Sequence, residues 1–171
     1  MTALETQRLL LRQFNVGDAE FILTLLNEPS FLRYIGDKKV RNLEDARQYI
    51  QNGPVASYER HRFGLNLVEL KDSNTPTGMC GLLKREELSS ADIGFAFLPE
   101  FWNKGFAFEA ATAVLQDARE RLKLERVLAI TSLDNEASIK LLERLGFRFE
   151  SVITAPATGE QVKLFAIDVG N

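Results

Sequence analysis

The chain has 171 residues, 45% hydrophobic and 26% charged, with 21 Lys and Arg against 24 Asp and Glu for a net charge of −3. A chain of that size buries roughly two thirds of its unfolded surface, enough for one core without staples, and a single domain over 1–171 is expected. The interspersed charges leave no basic stripe for a nucleic-acid backbone, the lone Cys80 excludes an internal disulfide or a cysteine zinc site and fits a reducing compartment such as the cytoplasm, and no apolar stretch approaches the roughly 20 residues of a membrane helix. Residues 1–14 interrupt their only apolar triplet with Arg8 and Arg12, so they hold no signal-peptide core.

In chain order, Leu9, Leu10 and Leu11 ahead of Arg12 and Phe14 predict a first strand. Asp18 is placed as the cap of a helix whose apolar face is Phe21, Ile22, Leu25 and Leu26, and Pro29 as its end. After a polar turn at 36–39, a helix is expected from Leu43 to Gln51, stopped by Gly53 and Pro54. Phe63–Leu70 and Thr77–Leu83 alternate about a polar turn from Lys71 to Pro76, an antiparallel hairpin. A third strand, Asp92–Leu98, follows. The apolar period then changes to 3.6, and Ala107, Ala110, Ala111, Val114, Leu115, Ala118 and Leu122 stripe a helix of about four turns. Val127–Ser132 predicts a buried strand and Asn135–Leu145 a second amphipathic helix with Gly146 at its stop. Phe147–Thr154 and Gln161–Val169 form a last hairpin turned at 156–159. Hairpins on either side of one strand–helix–strand–helix unit point to a mixed α/β sheet with helices on both faces.

Chemistry concentrates after the third strand. Ligands in such sheets sit at the carboxyl ends of strands that diverge. Within this strand Gly94 and Ala96 leave one face nearly bare, for a closely packed helix or for a slender ligand. Its end runs through Pro99, Glu100, Phe101, Trp102, Asn103, Lys104, Gly105, Phe106 and Ala107 into the apolar helix. Unpaired amides at a helix start, with the positive end of its dipole and small residues at Gly105 and Ala107, make a candidate phosphate site, to which Lys104 adds a charge. An ordinary turn is the plainer alternative.

The run Trp102-Asn103-Lys104-Gly105-Phe106-Ala107 resembles the acyl-CoA signature of the GNAT N-acetyltransferases, Gln/Arg-x-x-Gly-x-Gly/Ala, with Trp102 departing at the first position. Downstream, Asn135-x-x-Ser138-Ile139-x-x-Leu142-Glu143-x-Leu145-Gly146-Phe147 is similar to the family's closing motif. With the opening Leu4-Glu5-Thr6-x-Arg8-Leu9-x-Leu11-Arg12, these resemble the branch that acetylates ribosomal-protein N-termini, over nearly the whole chain.

The resemblance implies a mostly antiparallel twisted sheet, with the strand–helix–strand–helix unit binding acetyl-CoA and no metal. The strand ending at Phe97 and Leu98 would splay from the one ending at Ser132, and the cofactor's pantetheine arm would lie between them. Asn103, Lys104, Gly105, Phe106 and Ala107 would hold its pyrophosphate, and Asn135 would bond the pantetheine amide unless it is a plain N-cap. An amine would attack the thioester directly, with a backbone N–H of 95–97 as oxyanion donor. The family's usual acid, a Tyr, is Leu142 here. Ser138, one turn earlier, is the candidate substitute, against a helix-cap role. Asp92 is the candidate base, against a merely solvated or salt-bridged role. His61, the only His, and Glu109, placed to serve the helix dipole, are weaker candidates. The acceptor would be a protein N-terminus or a small amine, held by 29–61 and the tail loop near Pro156. The resemblance also admits an acyl-CoA-binding module without turnover, and a monomer or a homodimer.

Overall fold

The computed structural model describes residues 3–155 and 158–170. Eight strands form one sheet in the order β1-β2-β3-β4-β5-β6-β8-β7. They are β1 (Leu4–Glu5), β2 (Leu9–Gln13), β3 (Leu65–Leu70), β4 (Pro76–Leu83), β5 (Asp92–Phe97), β6 (Arg126–Ser132), β7 (Arg148–Thr154) and β8 (Gln161–Asp168). Every neighbouring pair is antiparallel except β5 with β6. That exception follows from the connection. The long helix α5 (Phe106–Glu120) carries the chain back across the sheet, as a parallel pair requires.

The sheet separates two apolar layers. On one face, Leu9, Leu11, Val68, Cys80, Leu82, Ile93 and Phe97 pack against Ala110, Ala111, Val114 and Ala118 of α5 and against Leu142 of α6 (Glu136–Leu145). On the other, Leu65, Leu67 and Met79 lie under α1 (Ala19–Leu26), α2 (Pro29–Tyr34) and α3 (Leu43–Ile50) through Ile22, Leu25, Phe31, Ala46 and Ile50. The side-chain alternation of β3, β4 and β5 thus feeds both cores, as the sequence pattern requires of a sheet covered on both faces.

Three local expectations are corrected. Asp18 makes no side-chain cap to α1. Instead Asn15 caps a short 3-10 turn at Val16–Asp18, while the Asp18 carboxylate takes the Asn15 amide and the guanidinium of Arg12 at 2.8 and 3.0 Å. Pro29 begins a helix rather than only ending one, since its fixed φ and missing N–H suit a first helical turn. Gly53 and Pro54 do not stop the helix that starts at Leu43. A wide turn at Gln51–Val55 absorbs the proline, and the chain stays helical through α4 (Ala56–His61). The two strands of the C-terminal hairpin form as expected, with β8 inserted between β6 and β7. Of its turn, Pro156 lies outside the described residues.

Candidate active site

The site begins where β5 and β6 part. The β4–β5 ladder runs over six register pairs, from Leu83 opposite Asp92 to Gly78 opposite Phe97. On its other side β5 pairs with β6 only at Asp92 opposite Leu128, fixed by Leu128 N–H donating to the Ala91 carbonyl at 2.9 Å. Beyond that point the strands diverge, so the edges of Ile93–Phe97 and Ala129–Ser132 face a gap open toward both carboxyl ends.

At the mouth of the gap stands the amino end of α5. Gly105 has φ +81°, a left-handed conformation that a residue with Cβ adopts at a cost, and a Cβ there would lie 3.2 Å from Arg8 Nη2. Asn103 is also left-handed, at φ +61°. The first intrahelical bond runs from Glu109 N–H to the Gly105 carbonyl, which leaves the amides ahead of it pointing out of the helix end.

The loop is clamped at two places. Trp102 Nε1–H donates to the Phe97 carbonyl at 2.8 Å, tying the loop to the end of β5. Arg8 Nη1 donates to the Lys104 carbonyl at 2.9 Å, its guanidinium lies 4.5 Å from the Phe106 ring, and its Nε reaches Glu109 at 2.7 Å. Glu109 also accepts the Arg8 amide and the Thr6 hydroxyl. Burial would raise the Glu109 pKa, but these bonds outweigh it and hold the carboxyl below the usual range. Glu109 therefore works as the anchor between the N-terminal strands and the loop, more specifically than an expected helix-dipole partner. Thr6 and Arg8 stood in the opening motif without a role. Only the fold shows that the motif reaches across to α5.

The bare face of β5 has a packing explanation. A Cβ on Gly94 would meet Leu83 Cδ1 at 2.9 Å and Leu65 Cδ2 at 3.5 Å, and Ala96 packs on the core under α1–α3. These contacts favour close packing as the role of the small residues.

Asp92 is 1% exposed and lies at the closed end of the gap. Arg85 Nε sits 3.2 and 3.3 Å from its two oxygens. Burial pushes the Asp92 pKa up to about 6, against the pull of Arg85 and Lys84. The salt-bridged reading of Asp92 is thus met by Arg85.

Asn135 caps α6, its side-chain oxygen accepting Ser138 N–H at 3.3 Å. Because Asn135 does the capping, the half-buried Ser138 hydroxyl is not the cap. Leu142 is fully buried in the core beside α5. His61 stacks on Phe63 with ring centroids 5.5 Å apart. Its neighbour Arg62 offers its carbonyl to Arg121, beyond the far end of α5, a helix about 22 Å long, so His61 lies away from the gap.

Two residues missed in the sequence stand on β6. The hydroxyls of Thr131, 7% exposed, and of Ser132 are buried without a partner among the described residues. By strand parity Thr131 faces the α5 side with Ile93 and Phe95, and Ser132 the opposite side with Asp92 and Ala96. Orphaned hydroxyls cost about 1–3 kcal/mol each unless something bonds them. Two in succession where β6 leaves β5 fit a gap made to receive a polar, slender group. Among the described residues no three His, Cys, Asp or Glu side chains gather as a metal site, and no helix is long and apolar enough to cross a membrane.

The model of the GNAT acetyltransferase domain matches residues 8–148, a span that holds the loop, both diverging strands and α6. The chain belongs to the GNAT acetyltransferases. The uncharacterized N-acetyltransferase YoaA of Bacillus subtilis is 34% identical over 152 residues, covering 88% of this chain and 85% of that protein. A GNAT-family acetyltransferase structure from Bacillus anthracis superposes with a TM-score of 0.81 at 26% identity, covering 98% of this chain and 99% of that one. RimL, an α-N-acetyltransferase of ribosomal protein L7/L12 solved with coenzyme A, shares the fold with a TM-score of 0.84 at 18% identity, covering 98% of each chain. This GNAT protein is an N-acetyltransferase whose loop carries Trp102 where the family signature has Gln or Arg, and the indole N–H closes the loop onto β5 from that place.

Proposed function

We propose that the protein transfers an acetyl group from acetyl-CoA to a primary amine, with the cofactor in the gap between β5 and β6. The observation that carries this reading is the single register pair between those strands, with the left-handed Gly105 and the free amides of α5 at the mouth of the gap. The fit is supported by the orphaned Thr131 and Ser132 hydroxyls. Amides of Asn103, Lys104, Gly105, Phe106 and Ala107 would hold the pyrophosphate, the open edge at Phe97 and Leu98 would hold the pantetheine arm, and Asn135 would bond the pantetheine amide while capping α6. When bound, acetyl-CoA supplies an acyl thioester open to attack by nitrogen.

The chain's own groups divide the remaining work. Asp92, once ionised, accepts a proton from the incoming amine, directly or through a water, and Arg85 keeps that carboxylate oriented. A β5 amide from 95–97 donates to the oxygen on which charge develops. Ser138, one helical turn before the position the family gives to Tyr, would donate a hydrogen bond to the departing sulfur. A thiolate of pKa about 8.5 leaves with little help, so a hydroxyl suffices. An α-amine, of pKa about 7.8, is neutral far more often near pH 7 than a Lys amine at about 10.4, a difference of about 3.5 kcal/mol. With Asp92 as a modest base, an α-amine is the favoured acceptor, at a protein N-terminus or on a small molecule. It would enter from the face covered by α1–α4. The buried, reduced Cys80 suits a cytoplasmic enzyme.

The test is thiol release from acetyl-CoA with a panel of small amines and N-terminal peptides. Release with at least one α-amine supports the proposal. Binding of acetyl-CoA without release by any amine would make the protein an acyl-CoA-binding module instead.

A further inference from the structure

The helices over one face of the sheet stop at β5. The apolar cluster beneath α1–α3 holds Leu67 of β3, Met79 of β4 and Ala96 of β5, and among the described residues no side chain of β6, β7 or β8. The same face continues past the gap. Leu128 and Ile130 of β6 stand opposite Ala166 and Leu164 of β8, and Ile153 of β7 stands opposite Val162. Paired residues share a face, and Asp92 pairs with Leu128, so these side chains lie on the side of the sheet that Asp92 faces. Leu128 and Ala166 are buried with Leu88 of the β4–β5 loop, whereas Ile130, Leu164 and Ile153 are only partly buried, and among the described residues no helix side chain joins them. Lys84 Nζ fixes that loop by donating to the Leu88 carbonyl at 2.9 Å. At the other end of the face α2 reaches the carboxyl end of β6, where Arg33 Nη2 meets Asp134 at 3.4 Å. Ile130, Leu164 and Ile153 thus form the floor of a trough between the Leu88 loop and the Arg33–Asp134 bridge. It starts at β6, one wall of the gap, crosses β8 and ends open at β7, the edge of the sheet. With strands about 4.8 Å apart, the floor extends about 10 Å from β6, the length of about three extended residues. The exposed apolar side chains of β7, Phe149 and Val152, stand on the other face, opposite Phe165 and Lys163, so the trough does not widen into an apolar surface that a second copy could cover.

We propose that this trough takes the first residues of a peptide acceptor, so that the preferred substrates are chain N-termini followed by apolar side chains. This rests on the reading that the amine enters the gap from the face of Asp92. With the amine at Asp92, beside Leu128, the next residues run across β6 and β8, and their apolar side chains cover Ile130 and Leu164. The open end at β7 sets no limit on the length of the chain, as a closed pocket for a small amine would.

The experiment compares Ala-Leu-Leu-Ala amide with Ala-Ser-Ser-Ala amide and with 2-phenylethylamine as acceptors. The Leu peptide is expected to show a KM lower than that of the Ser peptide by about tenfold. Leu164→Gln and Ile153→Gln are each expected to erase that preference, with the affinity for acetyl-CoA unchanged, since neither β7 nor β8 borders the gap. Should Leu164→Gln fail to fold, Ile153→Gln, at the edge strand, decides alone. Equal KM values for the two peptides, with thiol released by both, would leave the acetyl transfer standing and overturn the trough. A lower KM for 2-phenylethylamine than for the Leu peptide would overturn it in favour of small apolar amines. Sedimentation velocity supplies the other arm: a dimer that Ile153→Gln dissociates would give the face to a second copy. If no amine is turned over, calorimetry of the N-acetylated peptides with the CoA-loaded protein replaces the kinetics. Binding of the Leu peptide that is lost in Ile153→Gln supports the trough, and absent binding, or equal binding of the Ser peptide, overturns it.

Discussion

Asp92 combines a buried carboxyl with a guanidinium partner, so if it is the proposed base its protonation governs the rate at an accessible pH. Its pKa is raised to about 6, above the usual carboxylate value, and the base form is lost as the pH falls through that point. With an α-amine that must also be neutral, log kcat/KM should rise with a slope of two below pH 6 and a slope of one from there to about pH 8. Asp92→Asn should lower the rate and leave a slope of one throughout, and an unchanged profile would remove Asp92 from the reaction. At Ser138 the demand is smaller. Ser138→Ala should reduce kcat by about tenfold or less, because the thiolate is a good leaving group. Pre-steady-state thiol release measures this at saturating amine. Asp92, Ser138 and Asn135 were all visible as polar residues at marked strand or helix ends. Arg85 was not, because its pairing with Asp92 closes over a loop without periodicity. Thr131 and Ser132 were not either, because a hydroxyl in a β-branched run looks like any strand residue until its missing partner is seen.

Among the elements, the loop before α5 depends on a strand about a hundred residues away in sequence. Arg8 and Glu109 form a partly exposed pair of little worth to global stability, yet the same guanidinium holds the Lys104 carbonyl and covers Phe106. Arg8→Ala should therefore change the unfolding free energy by less than about 1 kcal/mol. It should nevertheless weaken acetyl-CoA binding by about tenfold, as two calorimetric titrations would show. Loss of stability without loss of binding would mean that the clamp supports the fold and not the loop. The element boundaries that sequence reasoning placed well are those set by period and by glycine, at α5 and α6. Those it misplaced are Pro29 and Pro54. A proline at a first turn and a proline inside a widened turn both allow the helix to go on, a choice made by the packing of Phe31, Ala46 and Ile50 on the sheet rather than by the proline.

Across the molecule, the sheet is continuous except at the one place where parallel strands must be joined through α5. Alternation of apolar residues made the mixed sheet legible, and the change of period after Leu98 made the crossover legible. The width of the gap was not, since it depends on how far β8 draws β6 away from β5 through seven antiparallel register pairs. Leu142 fills the core beneath α6 completely, so Leu142→Ala should cost about 2–5 kcal/mol in urea unfolding. The central claim is that acetyl-CoA enters the gap with its pyrophosphate on the loop at Gly105. Titration of acetyl-CoA into the protein and into Gly105→Val, both checked for unchanged secondary structure by circular dichroism, tests it most directly. Saturable binding to the protein and none to the variant is the predicted result. No binding to the protein, or the same affinity in the variant, would contradict it.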